Sequence, residues 1–167
     1  MKSQLEINPS FEINETSIAV VPIGIYINKL VKTWHKHGRI VILVDYDDTL
    51  VGHSYINKET CNKVGHEISK AQKLGADVIL WTCRLKEEIS EQIKNIEEEF
   101  DFIFTDVNPT KPFREGYSHK PYCNISLDDK AGLEQSLAIL KQATVIYGRE
   151  LTIKANGSIE EDRECDV

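Results

Sequence analysis

RIVILVDYDDTL, residues 39–50, is the stretch on which the architecture of this chain turns. Five aliphatic residues in a row, Ile40, Val41, Ile42, Leu43 and Val44, run straight into Asp45, Asp47 and Asp48. An unbroken run of this kind predicts a strand buried on both faces, as in a parallel sheet. Its C-terminal end then delivers Asp45 and Asp47, separated by Tyr46, to the crevice where open α/β sheets bind ligands. Like charges so close repel and raise one another's pKa, so the cluster needs a cation, a shared proton or both. The pattern points to metal-assisted chemistry.

Working outward, Pro22 suits a first helical position, and Ile23, Ile27, Leu30 and Trp34 recur at helical spacing until Gly38 ends the helix. Asn57 is a good N-cap for a second helix, whose apolar face is Cys61, Val64, Ile68, Ala71 and Leu74, with Gly75 as its stop. A short apolar strand follows at residues 77–81, ending at Thr82. Ile89, Ile93, Ile96 and Phe100 mark a third helix, residues 102–104 a short strand, and residues 106–119, with two prolines and a glycine, a loop. A fourth strand at 124–127 ends in Asp128 and Asp129, and Leu133, Leu137 and Leu140 mark a last helix. Alternating strands and helices imply βαβ units and a parallel sheet. The expected organisation is an N-terminal extension over 1–38, a catalytic domain over 39–150 and a partly disordered segment over 151–167.

Composition narrows the function. A chain of 167 residues holds one domain with a self-sufficient core. Its net charge of −7 argues against a general nucleic-acid binder, which needs Lys and Arg to neutralise phosphates. Cys61, Cys83, Cys123 and Cys165 have no zinc-like spacing and read as small apolar fillers in a reducing compartment. Trp34 and Trp81 read as core residues, and His35 and His37 cannot share one helix face as metal ligands. No apolar run is long enough for a bilayer, and the opening MKSQLEINPS lacks the apolar centre of a signal sequence, so a soluble cytoplasmic protein is expected.

Functional residue types fall at successive strand ends: Asp45 and Asp47, then Thr82, then Asp128 and Asp129, with Lys120 just before the last strand. The segments VILVDYDDTL, VILWT, Lys120 and NISLDD, in that order, resemble the four motifs of the haloacid-dehalogenase superfamily of phosphohydrolases. The resemblance covers about residues 39 to 142 and is closest to compact bacterial and phage members, which share the LWT-x-R segment and the spacing of KPYCNISLDD. It implies a three-layer α/β/α Rossmann-like core with a mainly parallel sheet and a minimal cap.

The resemblance also implies roles. Asp45 would be the nucleophile that forms an aspartyl-phosphate, and Asp47 the acid that protonates the leaving oxygen and then deprotonates water, which requires a raised pKa. Mg²⁺ would be held by the Asp45 and Asp128 carboxylates and the Asp47 backbone carbonyl, with Asp129 behind them. Thr82 and Lys120 would hold the phosphoryl group and the nucleophile, and Thr49 and Arg84 would contact substrate. Asp48 stands where the superfamily often has Gly; as a lone carboxylate it is expected to turn into solvent.

The segments at both cap positions are short, so the site is expected to be open, with Lys111, Arg114 and His119 as further phosphate contacts or a solvated loop. The partner is then a phosphorylated substrate of unspecified class, and the extension a candidate dimer contact, lid or cover for the sheet. Two rival readings stand beside the phosphatase. DYDDTLVGHS is similar to the motif of protein phosphatases of the C-terminal-domain type, and receiver domains also gather acids, a Thr and a Lys on a sheet rim without turning over.

Overall fold

The computed structural model describes residues 22–52, 57–109 and 121–161, with side chains through 156. Four helices and four strands alternate through them: α1 (Ile23–His37), β1 (Val41–Val44), α2 (Lys58–Lys73), β2 (Asp77–Leu80), α3 (Lys86–Phe100), β3 (Asp106–Val107), β4 (Ile125–Leu127) and α4 (Leu133–Glu161). The strands form one all-parallel sheet in the order β3-β2-β1-β4, an α/β arrangement compatible with a Rossmann-like fold. β1 lies inside it, as its apolar run predicts.

The helix boundaries follow local chemistry. Gly38 takes the left-handed conformation (φ 69°) that ends α1, and its N–H donates to the Trp34 carbonyl. The Asn57 side chain accepts from the Thr60 N–H and caps α2. Pro22 sits one position earlier than expected, at the cap, and the helix begins at Ile23.

One layer of helices covers one sheet face. Ile42, Val44, Val78, Leu80, Ile125 and Leu127, which alternate along β1, β2 and β4, share a core with apolar residues of all four helices. Within that layer α1 packs on α4, α4 on α2 and α2 on α3. Gly65 lets α2 and α3 close up, since a Cβ there would stand 2.6 Å from the Phe100 ring. Val41 and Ile79, which point to the opposite face of the sheet, are buried as well.

One expectation is corrected. Residues 102–104 form no strand; β3 lies at Asp106–Val107, inside the stretch read as a loop. Phe102 and Phe104 instead bury their rings edge to face, 5.0 Å apart, and only at Thr105, whose N–H donates to the Val78 carbonyl, does the chain reach the sheet. α1 packs into the same core: Trp34 is fully buried, stacks on Tyr147 of α4 at 4.7 Å and donates its indole N–H to the Leu74 carbonyl. α4 runs unbroken from Leu133 to Glu161. No helix among the described residues is long and apolar enough to cross a membrane.

Candidate active site

Parallel register brings the acidic strand ends together. Val44 pairs with Leu80 of β2 and Leu127 of β4, so the next residues along the three strands are Asp45, Trp81 and Asp128. The Asp45 N–H donates to the Leu127 carbonyl and the Trp81 N–H to the Val44 carbonyl, which carries the alignment past the strand ends. One residue further, Tyr46 and Thr82 are buried, whereas Asp45 and Asp128 are half-buried and Trp81 is exposed.

Asp45 is the electrostatic focus. Burial is the main force raising its pKa to about 6; the Tyr46 backbone N–H lowers it, and the charges of Asp128, Asp129 and Asp47 push it up again. A carboxylate loaded this way relaxes when a cation arrives. The Asp45 and Asp128 carboxylates and the Asp47 carbonyl are hard oxygen donors, a set that fits Mg²⁺ because this ion takes few carboxylates and keeps water in its remaining positions. Among the described residues no group of three or more His, Cys, Asp or Glu side chains is arranged to hold a metal ion, so the side chains alone do not form a cage.

Asp47 faces a different partner. Arg84 donates through Nε at 2.9 and 3.0 Å and through Nη2 at 2.6 Å to its carboxylate, a forked ion pair at the opening of the site. The same guanidinium lies over the Tyr46 ring at 5.6 Å. Bonding to Asp47 raises the Arg84 pKa further, so the group is a permanent cation. The Tyr46 hydroxyl is also pushed up, by burial first and by Asp47, against the opposing pull of Arg84.

Thr82 is buried, with its hydroxyl accepting from the Arg84 N–H at 3.2 Å. Its own N–H donates to Asn108 Oδ1 at 2.8 Å, while Asn108 Nδ2 reaches the Arg84 carbonyl at 3.3 Å. Asn108 thus braces the loop that carries Thr82 and Arg84. The sequence reading missed it, although an Asn before Pro109, here with φ 47°, is a recognisable turn signal.

Two further residues of the first acidic turn are buried. Thr49, read as a substrate contact, is fully buried, and its hydroxyl accepts from the Asp129 N–H at 3.1 Å, so it ties the first acidic turn to the last. Asp48, expected in solvent, is buried with φ 54°. Its N–H donates to the Val51 carbonyl at 2.7 Å inside a turn closed by Leu50 and Val51 on the Tyr46 carbonyl. A left-handed backbone favours Gly, and Asp is among the residues that tolerate it. Its charge reaches α2 as well, where burial first and Asp48 next raise the Cys61 thiol.

Lys120, Lys111, Arg114 and His119 lie outside the described residues. Of the cysteines read as fillers, Cys61 is buried, whereas Cys83 is exposed and Cys123 half-buried. Trp81, expected in the core, is exposed at the rim, and His35 pairs with Glu150. Comparisons of the chain with protein-family models, with curated proteins and with solved structures found no match.

Proposed function

We propose that this chain is a Mg²⁺-dependent phosphomonoester hydrolase that works through an aspartyl-phosphate, on a compact haloacid-dehalogenase-type core with an open site. The observation that carries the reading is the strand register that sets Asp45 beside Asp128, with the Asp47–Arg84 ion pair next to it.

The chemistry follows from these groups. Once phosphoryl oxygens draw Arg84 away, Asp47 takes up a proton from solvent; an Asp45 oxygen attacks phosphorus, the bond from phosphorus to the ester oxygen breaks, and Asp47 gives that oxygen its proton. Water then attacks the aspartyl-phosphate and passes a proton back to Asp47; inorganic phosphate leaves and Asp45 is restored. When bound, Mg²⁺ supplies charge neutralisation for the carboxylates and the phosphoryl oxygens. Arg84 plays two parts: it holds Asp47 in place before substrate arrives, and phosphoryl oxygens then compete for its donors. Thr82, and Lys120 by its resemblance to the superfamily lysine, hold the transferring group. The short segments at both cap positions leave the site open to substrates larger than a bare sugar phosphate.

The test is release of inorganic phosphate from p-nitrophenyl phosphate with Mg²⁺, alongside acid-quench trapping of a phosphoenzyme. Asp45→Asn should abolish both signals, and Asp47→Asn should slow breakdown of the trapped adduct. A stable phosphoenzyme without multiple turnover would replace this reading with the receiver-like one, and an Asp45→Asn protein of undiminished activity would remove the nucleophile assignment.

A further inference from the structure

Trp81 is the feature of the rim that the chemistry above does not use. It is 41% exposed, although β2 is buried up to Leu80. A lone exposed apolar residue is ordinary. What sets Trp81 apart is its place, one residue beyond the Val44–Leu80 pair and therefore alongside Asp45 across adjacent strands, about 4.8 Å apart. Leu85, next to Arg84 along the chain, is also exposed at 62%.

We propose that Trp81 is an aromatic platform for the leaving group and that the substrate is a nucleoside monophosphate whose base stacks on it. The inference rests on the phosphatase reading and supplies its substrate class. Charge argues for one phosphate: a chain with net charge −7 disfavours the long phosphate run of a polynucleotide. Spacing argues for a base. In a phosphotyrosine the ring carries the ester oxygen and sits over the nucleophile itself, whereas a platform one strand away faces a group held off the phosphate by a linker such as ribose. Stacking tolerates any base, so the site selects nucleotides without reading which one.

The experiment measures kcat/KM for adenosine 5′-monophosphate, ribose 5-phosphate and O-phosphotyrosine with wild type, Trp81→Ala and Trp81→Phe. Wild type should prefer the nucleotide to the sugar phosphate by roughly tenfold or more, the order expected for one stacked base. Trp81→Ala should lose that preference through KM, and Trp81→Phe should keep most of it. Equal losses on nucleotide and sugar phosphate, or a Trp81-dependent preference for phosphotyrosine, would overturn the proposal.

A second readout uses Asp45→Asn, in which the nucleotide should quench tryptophan fluorescence and ribose 5-phosphate should not. Trp34 is fully buried, so the quenching reports Trp81 and should vanish in the Trp81→Phe background. Quenching without hydrolysis of any ester would defeat the phosphatase reading and leave the platform. Hydrolysis without quenching or nucleotide preference would defeat the platform alone.

Discussion

Arg84 grips the Asp47 carboxylate with two of its nitrogens, at 2.6 to 3.0 Å, from a loop 37 residues further along the chain. Both side chains are partly open to solvent, so the pair adds little to stability. Its value is positional: a planar fork fixes the carboxylate in two dimensions where a single ammonium donor fixes it in one. Arg84→Lys should therefore be far from conservative. We expect both Arg84→Lys and Arg84→Ala to fold with near-normal thermal midpoints, and both to lose kcat/KM by on the order of 100-fold. Full activity of Arg84→Lys would mean that charge alone suffices.

The raised pKa of Asp45 sets a stability profile with a definite sign. Its folded value, about 6, exceeds the unfolded 3.8, so the folded state holds the extra proton between those values. Stability contributed by this group is therefore present at low pH and falls as pH rises through about 4 to 6. Thermal unfolding in EDTA, scanned from pH 4 to 8, should show a component that declines over this window in wild type and is absent in Asp45→Asn. At neutral pH the Asn variant should be the more stable of the two, by about 1 kcal/mol after allowance for solvent screening. A wild-type and variant pair with parallel profiles would place Asp45 outside the acidic cluster.

Divalent metal should reverse the same penalty. Mg²⁺ binding only the native state raises the thermal midpoint with increasing concentration, as mass action requires. Asp45→Asn and Asp128→Asn should each blunt the rise, because each removes a negatively charged oxygen donor. No Mg²⁺-dependent shift in wild type at millimolar metal would take the ion out of the site.

Asp48 offers a test of backbone strain. A non-glycine residue at φ 54° costs on the order of 1 kcal/mol unless its side chain compensates. Asp48→Ala keeps the Cβ and loses the carboxylate, whereas Asp48→Gly loses both the group and the strain. In urea unfolding, Asp48→Ala should be less stable than Asp48→Gly by about 1 kcal/mol. The reverse order would argue that the left-handed turn is not retained in solution.

Thr49 provides the contrast between a structural and a substrate-facing hydroxyl. Thr49→Val leaves the Asp129 N–H without its acceptor and should cost about 1–3 kcal/mol, while Thr49→Ser should cost less. Because Thr49 is buried, activity should fall through kcat, by misplacement of Asp128 and Asp129, with KM little changed. A raised KM with unaltered stability would instead show a direct substrate contact.

The elements that could be read from the chain are those specified by local physics. The β1 run, the Asn57 cap and the Gly38 stop need only their neighbours to act, and all three stand as read. Residues 102–104 show where local reading fails, since two phenylalanines in alternation look like strand whether they pair in a sheet or plug a helix layer. Trp81 shows the same at the site: hydrophobicity placed it inside, yet it is exposed at the rim. Asn108 had a turn signal but no signal for its partner, because Thr82 lies 26 residues away.

The sequence by itself determined that a parallel strand order would carry acids to one rim, because hydrophobic periodicity and turn chemistry act over a few residues and leave little choice of topology. Only the tertiary structure decided which acid meets which partner. Asp45 stands beside Asp128 because β1 and β4 pair in register, Asp47 is taken by Arg84 because β2 lies next to β1, and Asp48 turns inward because the backbone at the end of β1 goes left-handed. These outcomes depend on distances between segments tens of residues apart, where side-chain charge and burial act through space and no pattern along the chain records them.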